Sequence, residues 1–168
     1  MARDEEIEEF SGFVASTQRT MVRFGELLTG DRGRAEDLAQ HGFARAYAAW
    51  PRIRGGDPAA YVRRCILNAH TDWWRRRTWR ERPSEVLPEA AEGADFTSIS
   101  ADRAVVLRAL ARLTERERAV VALRFLFDLS EAQVAAELGV AAGTVKSGTA
   151  RALAKLRADA ELRAETAR

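Results

Sequence analysis

The sequence predicts an all-α fold in which two small helical domains are joined by a flexible acidic linker. Hydrophobic residues recur at helical spacing over most of the chain, and no stretch has the alternating, β-branched pattern of a strand. Between two such helical parts, residues 83–101 lose this periodicity and gain Pro, Gly, Ser and acidic residues, as linkers do. We therefore expect domains at residues 1–82 and 102–168.

Size and composition narrow the class of protein. The chain has 168 residues, 46% of them hydrophobic and 31% charged, which is typical of a soluble folded protein with one or two small cores. No apolar run approaches the roughly 18 to 20 residues of a membrane span. The N-terminus is acidic where a secretory signal would be basic, and the single Cys65 leaves no intramolecular disulfide. These features predict a cytoplasmic protein without a membrane partner.

Charge is distributed unevenly along the chain. Residues 1–82 and 104–168 each carry a net charge of +3, and residues 83–103 carry −4. Two basic parts separated by an acidic segment fit a chain that binds a polyanion at two places.

In the first domain, the first helix is expected from about residue 5 to 28, with Gly30 as its C-terminal stop. Asp31 can cap the second helix, because its carboxylate can accept hydrogen bonds from the free amides of the first turn. That helix is expected to end at Trp50, before Pro51.

The third helix is expected from the Asp57-Pro58 pair to about Arg77, because the proline has no amide hydrogen to leave unpaired at the first helical position. Its predicted core face consists of Val62, Cys65, Ile66, Ala69 and Trp73.

The second domain begins with a helix over 102–113, which is followed by two capping boxes, Thr114 with Glu117 and Ser130 with Gln133. After the second box come a short helix, a stop at Gly139, a tight turn and a last helix, which together form a helix-turn-helix pattern. The inward residues of the last helix are expected to be Val145, Thr149, Ala152, Leu153 and Leu156.

The opposite face of this last helix suits DNA. It presents Lys146, Ser147, Ala150, Arg151 and Lys155. A major groove admits one helix, and its base edges offer acceptors to Arg and Lys and thymine methyl groups to Ala. The alternative is a basic face that is only solvated.

A second basic block lies in the third helix and just after it. Its members are Arg63, Arg64, Arg75, Arg76, Arg77, Arg80 and Arg82, interleaved with Tyr61, Trp73, Trp74 and Trp79. Stacking surfaces beside phosphate-binding cations are typical of proteins that bind single strands or melted duplex. The alternative is that the aromatic residues are core, as the spacing favours for Trp73, and that the arginines face solvent.

These segments resemble those of the group 4, or extracytoplasmic function (ECF), sigma factors of bacterial RNA polymerase, in particular the sigma-E-like subgroup of high-GC bacteria. The polymerase-binding segment is similar to AEDLAQHGFARAYAAW at 35–50, and the −10 element segment to PAAYVRRCILNAHTDWWRRR at 58–77. The −35 element domain is similar to residues 113–157, which begin LTERERAVVALRF and include GTVKS. Three segments in this order are far more specific than one helix-turn-helix.

The resemblance implies roles for individual residues. The surface that docks on the β′ clamp helices of core RNA polymerase, which also includes the β subunit, corresponds to Asp37, Leu38, Gln40 and Phe43. The residues that correspond to capture of the melted −10 strand are Asn68, Tyr61, Arg64, the loop from Arg54 to Asp57, and the basic residues Arg75 and Arg76. Contact with the −35 duplex corresponds to Thr144, Lys146, Ser147, Ala150 and Arg151, with Lys155 on the same face. An anti-sigma protein is a further candidate partner.

The sequence departs from the family pattern at two places. Ala141 and Ala142 stand where relatives often carry a Ser that caps the recognition helix, so we expect a start weaker by ~1 kcal/mol. Gly148 stands where many relatives carry a long side chain, so we expect the loss of a phosphate or base contact and a more flexible helix.

The function predicted is that of a sigma factor that recognises −10 and −35 elements and directs initiation, with no catalysis, cofactor or metal of its own. His41, His70 and Cys65 lack the partners and spacing of a zinc site or catalytic triad. Two alternatives remain. One is a helix-turn-helix regulator, although residues 1–82 lack the strands of its usual receiver or ligand domain. The other is a sigma-like decoy that docks on polymerase without reading promoters, supported only by Ala141 and Gly148.

Overall fold

The computed structural model describes residues 1–80 and 101–167, with no description of the side chains of residues 78–80. These residues form seven helices: α1 (Ala2–Thr29), α2 (Arg32–Ile53), α3 (Pro58–Arg80), α4 (Ala101–Ala111), α5 (Glu115–Leu126), α6 (Glu131–Leu138) and α7 (Ala142–Thr166). No strand occurs in the described ranges, so the all-helical prediction is confirmed for them. The predicted linker lies mostly outside them. The chain divides into two compact units, one with α1–α3 and one with α4–α7.

The ends of α1 and α2 follow the capping chemistry of the sequence. Gly30 takes the left-handed conformation (φ 71°) and donates its N–H to the Glu26 carbonyl at 2.7 Å, which closes α1. One residue later, Asp31 accepts a hydrogen bond from the Arg34 amide at 2.9 Å and starts α2. The predicted stop at Gly30 and the predicted cap at Asp31 therefore form one tight turn between α1 and α2.

The predicted end of the second helix at Trp50 is wrong. Helix α2 continues through Pro51 to Ile53, and the Arg54 amide still donates to the Trp50 carbonyl at 3.0 Å. Proline removes only one amide donor, and this near the C-terminus of a helix costs little. Tyr47, whose carbonyl would have received that bond, is 49% exposed, so water can replace the donor.

The three helices of the first unit pack closely where side chains are smallest. A Cβ on Gly25 would lie 2.9 Å from the Ala35 Cα, and one on Gly42 would lie 3.0 Å from the Val62 Cγ1. Glycine at these two crossings therefore lets α2 approach both α1 and α3. The fully buried side chains around them are Met21, Phe24, Leu28, Val62 and Ile66.

Towards the other end of α1, an aromatic cluster fills the space between α1 and α2. Phe10 contacts Tyr47 and Trp50 with ring centroids 5.1 Å apart in both pairs. Phe13 packs edge-on against Phe43 at 5.9 Å. Phe43 and Trp50, the buried members of the cluster on α2, mark the face of this helix that packs against α1.

In the second unit, both predicted capping boxes are present. Thr114 and Glu117 satisfy each other's amides at the start of α5, and Ser130 and Gln133 do so at the start of α6. Gly139 closes α6 in the left-handed conformation (φ 66°). Helices α6 and α7 are therefore the helix-turn-helix, and the core beneath it includes Val120, Leu123, Val134, Val145 and Ala152.

Candidate nucleic-acid interface

The exposed face of α7 is the best-formed candidate for contact with DNA. Val145 and Ala152 are fully buried, and Thr149 is buried with its hydroxyl donating to the Val145 carbonyl at 2.8 Å. The opposite face carries four exposed residues, Lys146, Ser147, Ala150 and Arg151. Thr144 lies half-buried at the start of the helix, and its carbonyl accepts a hydrogen bond from the Ser147 hydroxyl at 3.2 Å.

Lys155 makes the closest ion pair of this face with another helix of the same unit. Its Nζ lies 2.8 and 3.2 Å from the two carboxylate oxygens of Glu117 at the start of α5. The Arg151 Nε lies 3.9 Å from the same carboxylate. Sequence reasoning missed this pairing because the partners are far apart in the chain and the capping box already gave Glu117 a role.

The electrostatics of Glu117 reflect these partners. Burial alone would raise the pKa of Glu117, but hydrogen bonds from Lys155 and from the Thr114 amide outweigh it and hold the pKa below its ordinary value. The carboxylate is therefore ionised at neutral pH and keeps a cation beside it.

The two departures from the family pattern lie in different environments. Ala141 is the N-cap of α7 in extended backbone conformation and makes no side-chain capping bond; the lower stability of this helix start stays a prediction. Gly148 is buried, and a Cβ there would lie 4.0 Å from the Val120 Cγ2. Gly148 therefore lies on the side of α7 that packs against α5, and the expected loss of a DNA contact at this position stays a prediction.

On α3, three predicted −10 residues share one face. Tyr61, Arg64 and Asn68 follow one another at spacings of three and four residues, which places them along one side of a helix. Arg64 and Asn68 are exposed and Tyr61 is half-buried; Arg75 and Arg76 are exposed further along α3.

Arg54, predicted on the same interface, is held by the first helix. Its guanidinium lies 3.0 Å from the Glu9 carboxylate and 4.0 Å from that of Glu6. All three side chains are well exposed, so the pair is weak and can exchange with another anion.

The aromatic residues of the basic block are only partly accessible for stacking on nucleic-acid bases. Trp73 is half-buried, and the Arg34 guanidinium carbon lies 3.4 Å from the centre of its ring, with that of Arg77 at 5.2 Å. His70, 4% exposed, stacks on Trp73 at 6.5 Å. Trp73 thus packs among side chains of its own unit, as its spacing favoured. The side chains of Trp79 and Arg80 and all of Arg82 lie outside the described part of the chain.

Arg63 of the basic block is also not accessible to a nucleic-acid phosphate. Its side chain is buried, with a guanidinium nitrogen 3.9 Å from the Asp57 carboxylate.

Cys65 is half-buried on the same helix, and burial raises the pKa of its thiol despite opposing contacts with Arg45 and Tyr61. Arg45 could not be associated with Cys65 from the sequence because the contact joins two helices.

The residues predicted to dock on polymerase lie along α2. Asp37 and Gln40 are exposed and Leu38 is half-buried. Phe43 is not on the surface: it is 8% exposed and packs against Phe13, because it lies on the face of α2 that meets α1. Phe43 is therefore part of the packing between α1 and α2.

Within the described residues, no three His, Cys, Asp or Glu side chains are grouped so that they could hold a metal ion. No helix among them combines the length and hydropathy needed to span a membrane.

The chain is similar to known proteins over both units. Sigma-70 region 2 matches residues 13–80, and Sigma-70, region 4 matches residues 103–156. The RNA polymerase sigma-E factor of Streptomyces coelicolor is 42% identical over 153 residues, which cover 90% of this chain and 86% of that protein. The ECF RNA polymerase sigma factor SigC of Mycobacterium tuberculosis is 33% identical over 156 residues, covering 89% and 82%.

Solved structures share the fold. The sigma factor RpoE in complex with the anti-sigma factor NepR from Bartonella quintana matches with a TM-score of 0.73 and 22% identity, covering 92% of this chain and 98% of that one. CnrH in complex with the cytosolic domain of CnrY matches with a TM-score of 0.64 and 24% identity, covering 91% and 88%.

Proposed function

Because the chain belongs to the ECF family of RNA polymerase sigma factors, non-enzymatic subunits that bind RNA polymerase and direct transcription initiation, we propose how its residues divide this work. Residues 1–82 form the unit that docks on core polymerase and captures the −10 element. Residues 102–168 form the unit that binds the −35 element, and residues 83–101 join them. The protein acts in the cytoplasm, where its polymerase is.

The exposed face of α7 carries the −35 assignment. Lys146 and Arg151 supply donors for guanine edges or phosphates, Ser147 supplies a small donor and acceptor, and Ala150 supplies a methyl group for thymine. Thr144 lies at the start of the helix, where a phosphate can bind near the free amides. The exposed part of this face, with Val145 and Ala152 fully buried behind it, is the observation on which the proposal rests most.

The −10 assignment uses the face of α3 that carries Tyr61, Arg64 and Asn68. A carboxamide both donates and accepts hydrogen bonds, so Asn68 suits the edge of an unpaired base. Arg75 and Arg76 add phosphate contacts. Arg54 joins them by exchanging the Glu9 carboxylate for a DNA phosphate, which its exposed ion pair permits.

Docking on core polymerase uses Asp37 and Gln40, with Leu38 at the edge of the surface and Phe43 beneath it. The partner is the β′ clamp helices, with further contacts to the β subunit. An anti-sigma protein that silences the chain would cover the same surface around Asp37 or hold the two units together.

Run-off transcription tests the proposal. Core RNA polymerase from the source bacterium is combined with the chain on a promoter library, and wild type is compared with Asp37→Ala and Arg151→Ala. Matched controls are Glu36→Ala, the exposed acidic neighbour of Asp37, and Arg157→Ala, an exposed cation further along α7. We expect start sites that depend on the protein, weaken in both test variants and persist in both controls.

Other outcomes would reassign the interfaces. Polymerase binding without directed starts would favour the decoy. Duplex binding without polymerase association would favour the regulator, and equal losses in the control variants would remove the residue assignments.

A further inference from the structure

The recognition helix α7 carries the only two lysines of the chain, and they lie in different environments. Lys146 is exposed and forms no ion pair within the described residues. The Lys155 Nζ lies against both oxygens of Glu117, at 2.8 and 3.2 Å, and the Glu117 side chain is only 6% exposed. Two lysines on one helix therefore differ in whether their charge is already paired.

Glu117 cannot readily release its partner. A buried carboxylate has lost its hydration, and a nearby cation offsets the free-energy cost of that loss. Removing the cation from a buried ion pair is therefore strongly destabilising. The Thr114 amide donates a further hydrogen bond to the Glu117 carboxylate at 3.0 Å, and the Thr114 hydroxyl accepts one from the Glu117 backbone amide at 3.2 Å. The capping box thus holds both the carboxylate and the backbone of Glu117 in place before any DNA arrives.

Arg151 lies between these cases. Its Nε is 3.9 Å from Glu117, beyond hydrogen-bond distance, and its side chain is 63% exposed, against 44% for that of Lys155. The guanidinium can turn outward to DNA while Glu117 keeps Lys155.

We propose that Glu117 is a positioning residue that sets how many cations of α7 DNA can use. It retains Lys155 as an internal anchor between α5 and α7, and it leaves Lys146 and Arg151 to the duplex. This inference rests on the proposed contact of α7 with the −35 element.

The arrangement favours specificity over total affinity. Each cation that pairs with a phosphate releases counterions and strengthens binding to any sequence. Phosphate contacts of this kind carry no sequence information directly. A buried carboxylate that withholds Lys155 therefore limits sequence-independent binding without changing the residues that face base edges.

Lysine acetylation of the reconstituted holoenzyme tests this in the wild-type chain. Mass spectrometry compares the two lysines with and without promoter duplex. We expect Lys146 to react readily and to be protected several-fold by DNA. Lys155 should react slowly in both states. A Lys155 that reacts as fast as Lys146 and is protected by DNA would overturn the proposal.

The salt dependence of binding gives a second test. Glu117→Gln keeps an acceptor for the Thr114 amide but removes the charge. We expect it to steepen the slope of log K against log salt by about 0.9 for each cation released, and to strengthen binding to a duplex of random sequence. The double variant Glu117→Gln/Lys155→Gln should regain a slope close to that of wild type. If the salt slope of the double variant were shallower than that of wild type by about 0.9, Lys155 would contact DNA in the wild-type protein.

Lys146→Gln and Arg151→Gln separate this proposal from the one it rests on. If neither Lys146→Gln nor Arg151→Gln flattens the slope, the exposed cations of α7 do not bind DNA and the −35 assignment itself fails. If either of them flattens the slope while the Glu117 variants leave it unchanged, only the role of Glu117 fails. Helical circular dichroism of every variant excludes unfolding as the cause, and the acetylation experiment needs no variant.

Discussion

The Arg34 guanidinium carbon lies 3.4 Å from the centre of the Trp73 ring, so a cation from α2 occupies one face of the aromatic residue that the sequence places in the basic block of α3. A nucleic-acid base could stack on that face only by displacing the guanidinium. The contact joins the start of α2 to the second half of α3, and it makes Trp73 part of the packing of the first unit.

We therefore expect Arg34→Ala to lower the free energy of unfolding of the first unit by about 0.5–1 kcal/mol, the usual strength of such a contact at a partly exposed site. All four tryptophans of the chain lie in residues 1–82, so tryptophan fluorescence during denaturation follows this unit alone. A double-mutant cycle with Trp73→Ala isolates the pair. Strictly additive losses would show that Arg34 acts through its other contacts.

Cys65 should react slowly with alkylating reagents in the folded protein. Burial raises the pKa of its thiol, so at neutral pH the reactive thiolate is scarcer than in an unfolded chain. Since the chain has one cysteine, the rate of iodoacetamide incorporation measures this site directly. Alkylation in the folded state as fast as in urea would contradict the burial of Cys65 against α2.

The sequence predicts local structure well wherever a side chain acts on its own backbone neighbours. Asp31, Thr114, Ser130, Gly30 and Gly139 all start or end helices as their positions indicate. Pro51 fails as a helix end because one missing amide is tolerated in a last turn.

The candidate site depends on contacts that are distant in sequence, and these were not predictable from spacing. Helical periodicity places Lys155 on the basic face but says nothing of Glu117 on another helix. The resemblance places Phe43 on a docking surface, whereas its environment is set by its packing against Phe13 of α1.

Gly148→Ala should stabilise the second unit by roughly 0.5–1 kcal/mol. Alanine is the better helix former by this amount, and its Cβ would lie at ordinary contact distance, 4.0 Å, from Val120. Circular dichroism follows the unfolding of both units, whereas tryptophan fluorescence follows only the first. A transition seen by circular dichroism but not by fluorescence therefore reports on the second unit. The control is Ala150→Gly at an exposed position two residues away, which should destabilise by a similar amount. A destabilised Gly148→Ala would mean that α5 and α7 tolerate no extra carbon.

Ala141→Ser should stabilise the start of α7 by about 1 kcal/mol. The backbone at Ala141 is already extended (φ −71°, ψ 148°), as an N-cap requires, and only the side-chain acceptor is missing. Ala142→Ser, inside the first turn, is the matched control because a serine there cannot cap. Equal effects in the two variants would show that capping is not the limiting factor. If α7 binds the −35 duplex, Ala141→Ser should also tighten that binding.

Acid should weaken the second unit through Glu117. The pKa of Glu117 is lowered from its ordinary 4.5, so as the pH falls below 4.5 the unfolded chain takes up a proton before the folded chain does. The stabilisation is therefore present above pH 4.5 and is lost as the pH falls through the lower, folded pKa. Glu117→Gln should flatten this part of the stability profile, measured by denaturation followed by circular dichroism.

Glu115, two residues earlier, supplies a control of opposite sign. Burial raises the pKa of Glu115 above its ordinary 4.5, although Arg118 opposes the shift. Its folded form therefore holds the proton more tightly than the unfolded form, and its ionisation costs stability as the pH rises through 4.5 towards the folded value. Glu115→Gln should remove that cost, so it changes the profile above pH 4.5 and in the opposite sense to Glu117→Gln, which flattens the loss below pH 4.5. If both variants changed the profile in the same direction, the acid dependence would reflect the net charge of the unit and not the environment of either carboxylate.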